Sequence, residues 1–289
     1  MTETSQRNEY RLLNEFRRLF EGKIYKHRAS NQGDFVAMHL YEDLVAVQRS
    51  SRFIEAVVTR KDRVLNVQNR RRGIIARRGD GTFGEIIPGE TPIFDSGYQV
   101  GRGPIATVEI GVEVKILAKA MIKQIDRVIN DLRNQVVQFR RGGGHPICIA
   151  IVGVNEAAST VGYEGDRSFA TTGKGGFPHP VQEAPEAARR LQSLAAPDYD
   201  EFLILRFKST NAAPYPFEWA DYNETRLNYA ASLSRISAAI SSVSEIHWLV
   251  TGGLVESHGM GAARCAPAGQ SLIPNRQSRW EAFPALSQP

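Results

Sequence analysis

The chain of 289 residues is 42% hydrophobic and 23% charged, enough apolar material to bury a substantial core in one large domain or two small ones. Its formal net charge of +5 is uneven: residues 1–145 carry 25 Lys and Arg against 17 Asp and Glu, and the remainder 11 against 14, so the front half favours an anionic partner. The isolated Cys148 and Cys265 form neither a disulfide framework nor a C-x-x-C metal pair, and the charged N-terminus and short apolar runs predict a cytoplasmic protein with no membrane span.

In chain order, EYRLLNEFRRLF (9–20) sets Leu12, Leu13, Phe16, Leu19 and Phe20 at helical spacing, making residues 1–34 an N-terminal helical segment. A second helix is expected from about Phe35 to Thr59 on Leu40, Leu44, Val47, Ile54 and Val57, opening the main domain over 35–245. Asp80-Gly81 follows a run of basic residues and precedes FGEII, which predicts an Arg-rich hairpin over 60–88, two short strands around a D-G turn. Arg70, Arg71, Arg72, Arg77 and Arg78 are its candidate phosphate contacts, because guanidinium groups pair well with phosphate oxygens. A solvated basic edge that discourages sheet aggregation is the equal alternative.

TPIFDSGYQVGRGPIATVEIGVEVKIL (91–117) reads as two antiparallel strands joined around GRGP. Residues 118–139 form a helix with a stripe of Met121, Ile125, Val128, Leu132, Val136 and Phe139, stopped by Gly142 to Gly144. The uninterrupted apolar run PICIAIVGV (146–154) predicts a strand covered on both faces, typically in a parallel arrangement. A glycine-rich connection (159–178), a helix from about Pro185 to Leu194, the buried strand FLILRF (202–207) and a helix after Asp221 and Glu224 complete the core. IHWLV (246–250) has the composition of a strand, and 246–289 otherwise reads as a poorly structured extension.

One strand carries the chemistry. In TVEIGVEVKILA (107–118), Val108, Ile110, Val112, Val114 and Ile116 point one way, and Glu109, Gly111, Glu113 and Lys115 the other. A helix and a buried strand follow directly, so the charged face needs a partner, a metal or a water-filled cleft. With a three-residue loop at Arg102 to Pro104, Asp95 comes opposite Gly111 on the same face, and a hole over the glycine would admit a metal ion; a two-residue loop turns Asp95 away. Clustered carboxylates suit Mg²⁺, which keeps several waters and bridges to phosphate oxygens, and Lys115 could hold or deprotonate a water.

An Asp on one strand, Glu113-Val114-Lys115 on the next, a helix and a buried strand resemble the core of the PD-(D/E)xK nuclease superfamily, the fold of many restriction endonucleases. The resemblance covers roughly residues 35–210. It implies an α/β fold with a restriction endonuclease-like core, a mixed central sheet flanked by helices. It further implies Mg²⁺-dependent hydrolysis of DNA phosphodiesters, in restriction or another bacterial defence, with Asp95 and Glu113 as metal ligands and Lys115 activating water. An acidic residue on the preceding helix, Glu42 or Glu55, would be a further ligand, and Glu109 is either another ligand or the partner of an arginine. Phe94, not proline, precedes Asp95. Cutting both strands of a duplex would suggest a homodimer, since one such site cuts one strand.

The alternatives are a non-catalytic nucleic-acid-binding module, in which the charged strand is a structural ion pair, and an RNA or repair nuclease on the same core. TTGKGG (171–176) fails as a phosphate loop, since Gly175 stands where Ser or Thr is needed. The six histidines have no metal-ligand spacing. Trp219 and Tyr222 either stack on bases or, more often for such residues, lock a loop onto the sheet.

Overall fold

Nine consecutive buried residues, Ile147–Asn155, form β5 in the interior of a seven-stranded mixed sheet. The computed structural model describes residues 10–26, 32–66, 80–141 and 144–252, the stretch 243–252 without side chains. β5 is flanked in parallel by β4 (Ile110–Leu117) and β8 (Glu201–Ser209). β2 (Gly81–Glu85) runs antiparallel to β4 on one side and to β1 (Arg63–Asn66) on the other. The short strands β3 (Arg102–Gly103) and β9 (Phe217–Trp219) form the edges, giving the order β3-β1-β2-β4-β5-β8-β9. A separate hairpin pairs β6 (Val161–Glu164) with β7 (Arg167–Ala170).

Strand alternation divides the core into two layers. Ile149 and Ile151 of β5, with Ile110, Val112 and Val114 of β4, pack into one cluster with α1 (Arg11–Arg18), α2 (Gln32–Val47) and α6 (Tyr222–Gly252). Cys148, Ala150, Val152 and Val154 face the other way, against α4 (Met121–Arg140) and α5 (Pro180–Leu194). The small side chains of β5 on that face let the crossover helices approach closely. Burial pushes the Cys148 thiol up to about 11, which leaves it an inert core residue.

Several expectations change. The strand pair over 91–117 does not form as read: one edge of β4 is taken by β2 and the other by β5. The 93–102 segment folds on itself instead, with Ile93 and Arg102 exchanging both backbone hydrogen bonds at 2.8 Å. Gly84 lets the chain ahead of β4 lie against β2, because a Cβ there would overlap the carbonyl of Thr107. The 35–59 helix divides at Gln48 (φ 51°), after which Ser50 caps α3 (Ser51–Ile54) and a π-helical turn, Glu55–Arg60, follows.

The glycine-rich connection contains the β6–β7 hairpin, turned at Gly165 with φ 60°. α5 starts at Pro180 rather than near Pro185, because His179 and Gln182 build a capping box ahead of it. IHWLV is helical, lying within α6. Among the described residues, no helix is long and apolar enough to cross a membrane.

Candidate active site

The register of β2 on β4 decides which aspartate meets the E-x-K strand. Gly81 pairs with Val112, so Asp80, one position earlier, comes alongside Glu113. Its Oδ2 accepts a hydrogen bond from the Val114 N–H at 2.8 Å, extending the ladder by a side chain where the strand itself ends. Gly33, in the first turn of α2, makes room for this: a Cβ there would overlap the Asp80 carboxylate.

Glu113 lies on the α4 face of the sheet, and its side chain is 9% exposed. Lys115 is two residues on along the same face, its Nζ 2.7 Å from Glu113 Oε1. Burial works to lower the Lys115 pKa, but the charge and hydrogen bond of Glu113, with Asp80 and Asp131 adding to them, outweigh it. The net shift is upward, so the group is an ammonium at neutral pH. Asp80 and Lys115 open into a cavity of about 580 Å³.

The other sequence candidates go elsewhere. Asp95 holds Arg102 through two contacts of 2.8 Å and lies off the sheet position expected for it. The hole over Gly111 is filled, since a Cβ on Gly111 would overlap the ring of Phe139 from α4. Glu109 pairs with Arg63, as one of its two readings had it. Glu42 is buried and accepts the N–H groups of Gln99 at 2.9 Å and Val100 at 2.7 Å, with Arg11 at 3.0 Å, which ties a loop to two helices. Glu55 pairs with Arg60 at the surface. Arg70, Arg71, Arg72, Arg77 and Arg78 lie outside the described residues.

Trp219 is on β9, stacked on Phe16 at 5.6 Å and edge-on to Phe217 at 5.0 Å, where it fastens the sheet edge. In TTGKGG, the N–H groups of Thr172 and Gly173 both donate to the carbonyl of Phe177, a loop closed on itself.

Asp80 and Gly33 are the residues the sequence reading missed. The signal for Asp80 was present, an acidic residue directly ahead of a short strand, but the D-G pair read equally as a turn. Among the described residues, no three His, Cys, Asp or Glu side chains group as a metal site. Asp80 on the cavity wall and Glu113 buried alongside it in register nevertheless fit a hydrated Mg²⁺, which takes one or two carboxylates and completes its shell with water and phosphate oxygens. They do not fit a cation caged wholly by protein. No protein-family model, curated protein or solved structure matches the chain.

Proposed function

We propose that the protein is a Mg²⁺-dependent DNA endonuclease with a restriction endonuclease-like core, acting in the cytoplasm in restriction or a related bacterial defence. The observation that carries this reading is the position of Asp80 ahead of β2, alongside Glu113-Val114-Lys115 on the antiparallel β4, with α4 and the buried parallel β5 following. That is the order of elements on which the resemblance rests, with Asp80 in the place expected for Asp95.

Asp80 and Glu113 would hold the cation, and Mg²⁺ when bound supplies a lowered pKa to water and stabilises charge on phosphate oxygens. The chain's own part is electrostatic and positional. Lys115, held as an ammonium by its pair with Glu113 and the charge of Asp80, donates hydrogen bonds to the attacking water and offsets phosphate charge, and this upward shift favours holding the water over deprotonating it. The water oxygen bonds to phosphorus as its proton passes to bulk solvent, the bond to the leaving sugar oxygen breaks with that oxygen taking a proton from solvent, and the negative charge that accumulates faces Lys115.

The test is cleavage of plasmid DNA in Mg²⁺ and in EDTA by the wild type, Asp80→Ala and Lys115→Ala, with folding checked by circular dichroism. Metal-dependent cutting lost in both variants is expected. Full activity in folded Lys115→Ala sinks the assignment.

The binding-module reading draws on one observation, that Glu113 and Lys115 already satisfy each other at 2.7 Å. If the pair is purely structural, Glu113→Gln/Lys115→Met restores whatever stability either single variant loses and leaves every function intact, because removing both charges removes the uncompensated one. The nuclease reading expects the double variant to be stable and inactive.

A further inference from the structure

The cavity beside Asp80 and Lys115 is lined on one side by α4 and on the other by β6. Its charged lining is mixed: Lys115, Lys119 and Arg127 against Asp80, Asp131 and Glu164. Such a wall does not hold a polyanion by charge alone, since the gain at each cation is offset by an acid. At about 580 Å³ it also has the size of a pocket for a small molecule, which suits one or two nucleotides of a single strand and not a paired duplex.

An aromatic stands at its rim. Phe169 of β7 pairs in register with Gly162 of β6, and it remains 39% exposed. Because Gly162 has no side chain, the Lys119 ammonium lies against its backbone, where a Cβ would overlap it, and 5.6 Å from the centre of the Phe169 ring. All four residues of β7 are exposed, so this strand adds nothing to the core. Beside the cavity the Phe169 ring lies next to the Lys119 ammonium, the kinds of group that hold an unpaired base and the phosphate next to it.

We infer that the β6–β7 hairpin clamps an unpaired nucleotide next to the reacting phosphate, with the base on Phe169 and its phosphate on Lys119, and that the substrate is a DNA strand with unpaired bases at the cut. This rests on the hydrolase reading for the cut itself; the clamp is also a binding site in its own right.

The test compares one end-labelled sequence as a single strand, as a duplex with an unpaired overhang, and as a blunt duplex. Cleavage in Mg²⁺ is measured for the wild type, Phe169→Ala and Lys119→Ala, and binding in EDTA for the same three proteins. The single strand and overhang are expected to be cut at least about tenfold faster than the blunt duplex, and Phe169→Ala to weaken single-strand binding by about tenfold, the size of one base stack. Phe169→Leu, which keeps apolar area without an aromatic face, is expected to match Phe169→Ala rather than the wild type. A blunt duplex cut as fast as the single strand overturns the inference and leaves the nuclease reading standing. Absence of cutting of all three forms overturns the nuclease reading, and the EDTA arm then decides the clamp: single-strand affinity unchanged in both Phe169→Ala and Lys119→Ala overturns it.

Discussion

Asp80 accepts the main-chain N–H of Val114 at 2.8 Å, so its carboxylate is fixed to the backbone between Glu113 and Lys115. A side chain anchored in this way points at the E-x-K strand. Asp95, bound to Arg102 in a loop, has no such relation. Asp80→Asn is therefore expected to lower DNA cleavage by about 10²–10³-fold, the scale of removing one preorganised electrostatic group. Asp95→Asn should stay within a few-fold of the wild type. Equal losses in the two variants, measured as initial rates on folded protein, would falsify the placement of Asp80 in the site.

Gly33 allows the Asp80 carboxylate to lie against the first turn of α2. Adding a methyl group displaces the carboxylate rather than the backbone, because the obstructing atoms belong to the end of a side chain. Gly33→Ala should thus cut activity by about ten- to a hundredfold while leaving the melting temperature nearly unchanged, as expected when a reacting group moves by about 1 Å. A variant as active as the wild type would show that the Asp80 position is not needed for chemistry.

Gly111 does a different job on the same strand. Its missing side chain is replaced by the Phe139 ring, which closes the sheet against α4. Gly111→Ala overpacks this contact and is expected to cost about 1–3 kcal/mol. For a domain of this size that is a drop of several degrees in Tm, about 2–4 °C per kcal/mol. An unchanged Tm in Gly111→Ala would argue that the space over the strand is open after all.

The acid limb of the stability curve should depend on Glu201. Burial raises its pKa, but hydrogen bonds from Arg235 and Ser232 and the Arg235 charge prevail, and the net shift is downward. A depressed carboxylate contributes stability that is fully present above its unfolded pKa of about 4.3 and is lost as pH falls through the folded value. Glu201→Gln should lower stability by about 1–2 kcal/mol at pH 7, the worth of a charged hydrogen-bond pair. Thermal melts of the two proteins are expected to converge below pH 4; a constant gap down to pH 3 would contradict the assignment.

The sequence by itself determined the parts of this protein that depend on local pattern. The apolar stripe over 121–139 specifies α4, the unbroken run at 147–154 specifies a strand covered on both faces, and alternation along 110–117 puts Glu113 and Lys115 on one side. These follow from side-chain spacing at 3.6 or 2 residues, which needs no knowledge of neighbours. The partner of that charged face was decided by tertiary structure alone. The sequence put 91–100 beside 110–117 and 81–85 in a hairpin with the basic run before it, but in the fold β2 takes the edge of β4 that β5 leaves free. The same holds for the space above Gly111, which sequence read as room for an ion and which the fold gives to Phe139, twenty-eight residues away and brought there by the packing of α4. Strand register and helix placement depend on interactions between residues far apart in the chain, so one aspartate gains a place in the site and another a role in a loop.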